Sequence, residues 1–372
     1  MKTCKVFAMA AAALVLGLTS CSKENSSIQT AERYKVTLSF GSATTRADGA
    51  LAEAGDVVVI NDGYICFVSA NDAITKVYTI SSDPTGGTNI ENDDLGATPV
   101  TLSDVPGTST KVYMVANTGA IANLSAPVEG ATMTSYMTNI MDVRDQGLHT
   151  AVTSVGNASL QPGATSDTRV ATITLSTSVS RIQLKGITFE GDIEGIVAGI
   201  FVNGYYPTMP LNGTAVSGTW VTSNDALMYD QENGSTIFPS ALETFVYDEV
   251  DMNFHTDDVT GKAIVVPTTT NGVWGYNLFT SATPQVIIKL TDVVVGGQAL
   301  VDDQFITING FKNSTNGATI GTIAGGMIYT ISTSNLVVKF ENMSIEPGVT
   351  PIEVDVTVIP VTWQETEVIP VI

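Results

Sequence analysis

The chain has 372 residues, with 16 basic and 37 acidic side chains, a formal net charge of −21 and only 14% charged residues. That length leaves room for two cores of ordinary size, and the acid excess excludes a nucleic-acid binder, which needs a basic footprint. Thr, Ser, Gly, Val and Ile abound, and β-branched side chains suit a pleated surface, so the composition favours turn-rich β-structure.

The first element, "MKTCKVFAMAAAALVLGLTSC", places Lys2 and Lys5 before an apolar run and small residues ahead of Cys21. The run is too short to span a bilayer and reads as a secretory signal over residues 1–20. Its end, "LTSC", resembles the bacterial lipobox, which implies cleavage before Cys21 and lipid, palmitate included, on that residue. Several acyl chains hold a protein to a membrane far better than one. The polar stretch "SKENSSIQTAE" follows, and then "RYKVTLSFGSATTRADGA", where Tyr34, Val36, Leu38 and Phe40 alternate with polar residues as in a half-buried strand. Arg46 lies in the small, polar sequence after it, a setting that favours a trypsin-like cut between Arg46 and Ala47. Loss of residues 1–46 removes six bases and two acids, leaving ten bases, 35 acids and a net charge of −25. Such a surface favours solubility and repels like copies except where a specific contact prevails.

Beyond Ala47, short apolar runs alternate with turn signals. "DVVVINDGYICFVSA" reads as a hairpin about Asn-Asp-Gly, and "ITKVYTI" and "STKVYMVANTG" as further strands. In "TMTSYMTNIMDV", Met133, Met137, Ile140 and Met141 fall at helical spacing, as in a short amphipathic helix that packs into the core. "GNASLQPGATSDT" reads as a linker. The strand-like runs "RVATITLSTSVSRIQLKGITFEGD", "EGIVAGIFVNGYY", "GKAIVVPTTT", "TPQVIIKLTDVVVGGQ", "QFITING" and "GGMIYTISTSNLVVKF" follow it. Many short strands at this spacing point to β-sandwiches. The chain ends on "TPIEVDVTVIPVTWQETEVIPVI". There Ile352, Val354, Val356 and Val358 share one face of an alternating strand. Pro360 interrupts the ladder, and Val368, Ile369, Val371 and Ile372 form a second apolar piece.

Chemistry-bearing patterns are few. Cys4 and Cys21 fall in the export segment, so Cys66 has no partner for a disulfide and reads as a small core residue. His149 and His255 lack neighbours at zinc-ligand spacing. The pairs Asp93-Asp94, Asp257-Asp258 and Asp302-Asp303 match no calcium loop. No nucleophile elbow or phosphate loop occurs, so neither an enzyme nor a cofactor nor a metal site is expected. Trp220, Trp274 and Trp363 are the aromatic candidates for stacking on sugar, with Trp274 in "NGVWGYNLF" as a loop platform, against the commoner role of core packing.

Four stretches in this order, "LTSC", "YKVTLSFGSATTRA", "RVATITLSTSVSRIQLKGITFEG" and "VDVTVIPVTW…VIPVI", together with the "GGMIYTIS" strand, resemble the type V pilins of Bacteroidetes, of the major fimbrial subunit type. The resemblance implies an all-β fold of two transthyretin-like β-sandwich domains. It divides the chain into a signal (1–20), a propeptide with a removable strand (21–46), two sandwiches (47–167 and 168–350) and a donor segment (351–372). It further implies an outer-membrane lipoprotein precursor that a trypsin-like or Arg-specific protease cuts after Arg46, releasing the strand of Tyr34, Val36, Leu38 and Phe40. The tail of another copy, through Ile352 to Val358 or Val368 to Ile372, then fills the vacated groove. Repetition gives a head-to-tail fimbria at the cell surface, with accessory pilins, that supports adhesion and biofilm formation. The alternative is a surface glycan-binding lipoprotein whose tail folds into its own domain.

Overall fold

The computed structural model describes residues 32–41, 57–58, 60–82, 89–91, 95, 99–146, 151–214, 229–230, 235–236, 246–268, 273–360 and 362–363. The expected all-β class holds: strands dominate, and the longest described helix-like segments have four residues.

Two sheets form the N-terminal part. The first has the order Gln161–Pro162, Thr168–Thr174, Arg33–Gly41, Val100–Pro106. The second has the order Asn89–Glu91, Ile74–Ser81, Gly63–Ser69, Ser109–Ala116, Ser154–Ser159. The central strands of the second sheet are buried on both faces: Ile65, Phe67, Val112 and Met114 lie in the core, Val68 and Val115 are buried beside them in the sequence, and Phe67 meets Tyr78 edge-on at 5.9 Å. Cys66 is also fully buried, as its apolar surroundings suggest, and burial pushes its thiol pKa up to about 12.

The C-terminal part is built on a long sheet. Its order is Val246–His255, Ile193–Asn203, Gln285–Val295, Gln304–Asn313, Pro351–Pro360, Met327–Ile331, Val179–Leu184, Trp274–Phe279. A smaller sheet of Lys262–Val265, Ile187–Glu190 and Val337–Val338 covers part of it, with Phe189 stacked on Phe254 at 3.8 Å. One continuous apolar cluster runs through both parts.

Several local expectations change. The Asn-Asp-Gly stretch does not turn a hairpin, because Val57–Val58 pairs in parallel with Thr362–Trp363 instead. Asp62 Oδ1 accepts from Gly119 N at 2.7 Å and Thr118 Oγ1 at 2.9 Å, which ties this stretch to the turn after Ser109–Ala116. Gly63 then runs against that strand, at φ +143°, where a Cβ would sit 2.2 Å from the Val115 carbonyl oxygen. The helix at the methionines is a single turn, Met133–Tyr136, capped by Thr132 Oγ1 on Ser135 N. Asn139 Nδ2 donates to the Tyr136 carbonyl and closes it, and Ile140–Asp142 leaves as a strand paired with Thr208–Pro210. Met133, Met137 and Met141 are buried as expected, whereas Ile140 is exposed.

The stretch read as a linker is instead ladder. Ser154–Ser159 pairs with Ser109–Ala116, and Gln161–Pro162 pairs with Thr168–Thr174. The strand Thr168–Thr174 belongs to the N-terminal sheet with Arg33–Gly41, so sheet membership changes after Thr174 and not at the 167/168 boundary. Buried polar bonds knit the two parts together. Asn277 Nδ2 donates to the Gln146 carbonyl (2.7 Å) and Thr177 Oγ1 to the Thr153 carbonyl (2.8 Å), while within the N-terminal part Thr153 N donates to Gln146 Oε1 (2.8 Å) and holds these two acceptors together. Satisfied polar groups of this kind fix one arrangement of the elements they join.

Candidate strand-exchange site

The strand Arg33–Gly41 is not an edge. It runs parallel to Thr168–Thr174 on one side, in register from Lys35↔Thr168 to Gly41↔Thr174, and antiparallel to Val100–Pro106 on the other. Among the described residues it alone joins those two strands, so its ladder on each side is the sheet's continuity. At its start, Gly107 N donates to the Glu32 carbonyl at 2.6 Å and Lys35 N to the Asp167 carbonyl at 2.9 Å. Between Tyr34 and Val36 the register shifts by one residue on the Val100–Pro106 side. Asp104 takes φ +62° at this bulge, the left-handed conformation that Asp tolerates better than most residues. The Tyr78 hydroxyl donates to the Ser103 carbonyl beside it, and Arg33 Nη1 donates to the Asp104 carbonyl at 2.9 Å.

The apolar face of the strand is sealed. Val36 and Leu38 are fully buried, Tyr34 is 7% exposed and Phe40 is half-buried against the core. They pack in a trough that includes Leu102, Val105, Ala171 and Ile173, all buried. The Arg169 guanidinium covers the Tyr34 ring at 3.8 Å, a cation–π contact over the strand's entry. On the outer face the Thr37 and Thr101 hydroxyls meet at 3.2 Å across the ladder. The Thr165 hydroxyl donates to Asp167 Oδ1 at 2.6 Å, and this bond, ahead of nearby Lys35, holds the exposed carboxyl below its ordinary range. Burying Tyr34, Val36 and Leu38 contributes about 5–9 kcal/mol of gross transfer free energy, an upper figure because unfolded chains are partly compact.

The tail strand Pro351–Pro360 occupies a second inner berth of the same mixed kind. It runs parallel to Gln304–Asn313 and antiparallel to Met327–Ile331. Val354 and Val356 are buried, and Ile352 and Val358 are half-buried against the core. The expected donor residues Ile352, Val354, Val356 and Val358 are therefore inner residues of their own sheet, because the flanking strands offer hydrogen bonds on both sides. Pro360 ends the ladder opposite Met327. Cys21, Arg46, Ala47, Val368, Ile369, Val371 and Ile372 lie outside the described residues, as do His149, Trp220 and the Asp93-Asp94 pair.

The other candidates take structural positions. Trp274 is 5% exposed in a strand paired with Val179–Leu184, so it is core and not a loop platform. His255 faces Glu194 across paired strands, both side chains exposed, Nε2 to Oε2 3.2 Å. Asp257 Oδ1 accepts from the backbone N–H groups of Val259 and Thr260, and Asp303 pairs with Lys289 at 2.9 Å. Among the described residues no group of three or more His, Cys, Asp or Glu side chains is arranged to hold a metal ion. Sequence reading missed the Val100–Pro106 wall of the trough, where only Leu102 and Val105 are buried and the bulge breaks the alternation.

The fold and the berth define an all-β protein whose N-terminal strand is lodged between two strands of the body. No protein-family model and no curated protein matches the chain. Among solved structures it is similar to a protein of Bacteroides eggerthii provisionally named a cell adhesion protein, with a TM-score of 0.53 and 18% identity over 90% of this chain and 98% of that one. A protein of Parabacteroides distasonis provisionally named likewise aligns with a TM-score of 0.47 and 12% identity, over 90% of this chain and 100% of that one. A fimbrial assembly protein from the same organism aligns with a TM-score of 0.41 and 13% identity, over 81% of this chain and 90% of that one. The first of these shares the fold of the chain.

Proposed function

We propose that the protein is a structural subunit of a cell-surface fimbria that polymerises by strand exchange after proteolysis between Arg46 and Ala47. The observation that carries the reading is the berth of Arg33–Gly41: an inner strand with two ladders, whose only downstream link to the body contains Arg46. Once cut there, the strand is held by non-covalent contacts alone. Its departure bares an apolar trough and two rows of unpaired backbone groups, a template for an added strand. The adhesion name of the Bacteroides eggerthii protein with this fold is in keeping with such a role.

The donor in this reading is the tail beyond Trp363, with Val368, Ile369, Val371 and Ile372 as its apolar anchors. Residues 351–360 stay behind to complete their own sheet. A contact of trough on one copy with tail on the next is head-to-tail and does not close, so it propagates as a filament. The partners are further copies of the chain, accessory pilins, a trypsin-like or Arg-specific protease, and the outer membrane through lipid on Cys21 of the precursor. The reading assigns the chain no catalysis and no cofactor, and adhesion and biofilm formation as the outcome.

The glycan-binding lipoprotein is the second reading. Integration of Pro351–Pro360 into its own sheet favours it, whereas burial of Trp274 removes the aromatic platform it relied on. The test is the Arg46→Ala variant on denaturing gels without boiling. Wild type is expected to give ladders and the variant a full-length monomer. Wild-type-like ladders from the variant would remove the cleavage step.

A further inference from the structure

We propose that the cleft between the N-terminal and C-terminal sheets binds a neutral saccharide. The proposal concerns what a subunit touches, not how subunits join, and stands whether or not strands are exchanged. The cavity has a volume of about 580 Å³, within the roughly 300–1,000 Å³ typical of small-molecule sites. Met137 and Met141 lie on its buried side, and its lining is otherwise dominated by hydroxyl, amide and glycine residues. Among the described residues no Asp, Glu, Lys, Arg or His lines it.

Two side chains give the cleft a direction. Tyr113 and Asn157 stand directly opposite each other on the antiparallel strands Ser109–Ala116 and Ser154–Ser159, so ring and amide lie side by side on the same face. No hydrogen bond within the described residues engages the Tyr113 hydroxyl, the Asn157 amide or the Ser178 hydroxyl, and all three residues line the cavity. The frame around them is already satisfied: Thr177 Oγ1 donates to the Thr153 carbonyl at 2.8 Å, and Thr280 Oγ1 to the Ser178 carbonyl at 3.0 Å. Free donors and acceptors beside an aromatic ring, on a fixed frame, match a pyranose, which offers hydroxyls at its rim and C–H groups on its faces.

The alternatives fit less well. An ionic ligand would give up water with no opposite charge to receive it, and the acidic molecule, at −21, repels anionic sugars. A peptide added as a strand needs an open edge. At Val155 the outer edge of Ser154–Ser159 is bridged in both directions by Ser176, at 2.8 and 2.9 Å.

The experiment is saturation-transfer NMR and titration calorimetry on the purified full chain. The probes are glucose, galactose, mannose, N-acetylglucosamine and lactose, with N-acetylneuraminic acid as the anionic arm. At least one neutral sugar is expected to bind at millimolar concentration or below. Tyr113→Phe and Asn157→Ala are each expected to weaken it about fivefold or more, the loss of one net hydrogen bond, with circular dichroism unchanged. Tyr113→Phe removes only an oxygen from a half-buried ring and so tests the site without disturbing the fold. Absence of binding by every neutral sugar, equal affinity in both variants, or binding of the anionic sugar alone would overturn the proposal.

Discussion

Leu38→Ala separates a strand that is merely present from one that holds the sheet together. Leu38 is fully buried and lies between Ala171 on the parallel side and Val100 on the antiparallel side. Truncating a buried leucine costs about 2–5 kcal/mol, the lost transfer term plus a cavity. At about 1.4 kcal/mol per factor of ten, opening of the berth becomes about 30-fold to several thousand-fold more frequent. Hydrogen exchange read by mass spectrometry is the assay, on peptides covering residues 100–106 and 168–174 of the uncleaved protein. Both are expected to lose protection by that factor. In protein cut after Arg46 and freed of the strand, wild type and variant become identical, because the altered residue has gone. Unchanged protection of the two flanking strands in the uncleaved variant would refute the argument, as would a difference that survives removal of the strand.

Deleting residues 364–372 is expected to leave a folded subunit that makes no fibres, whereas deleting residues 351–372 unfolds the long sheet by removing Val354 and Val356; thermal melts and electron microscopy distinguish the two. Gly63→Ala is expected to destabilise the protein by about 1–3 kcal/mol, since the added carbon meets the Val115 carbonyl and the neighbouring strand must shift; denaturant midpoints measure it. The Cys66 thiol is expected to resist a thiol reagent in the native state and react fully on unfolding. Its folded pKa is raised from 9.0 to about 12, so its stabilising contribution is complete below pH 9 and fades as pH rises from 9 towards 12; Cys66→Ala removes that dependence in pH-resolved melts.

Side-chain alternation made the faces legible and left the partners dark. Tyr34, Val36 and Leu38 point inward as their spacing requires, and so do Met133, Met137 and Met141. No local pattern links Val36 to Arg169, more than a hundred residues away, or shows that the strand carrying it is parallel to its neighbour. Asn-Asp-Gly misled because its turn chemistry is real but serves another contact: Asp62 bonds to Gly119 and not across a hairpin. Pro162 and Gly163 misled in the same way, as Pro-Gly here borders a two-residue strand and does not begin a linker. Trp274 shows the limit for the candidate sites, since a tryptophan in a glycine-containing stretch reads as exposed until its strand is seen paired with Val179–Leu184 and its ring buried. The cleft at Tyr113 and Asn157 was out of reach of the sequence, because its walls come from segments joined only through long-range pairing.

The berth of Arg33–Gly41 has one parallel and one antiparallel neighbour, and that asymmetry works like an arrow. A replacement strand that keeps both hydrogen-bond patterns enters with the same heading, amino end beside Pro106 and carboxyl end beside Thr174. Every link then repeats one orientation, so a filament made this way has two unlike ends and its growing tip differs from its base.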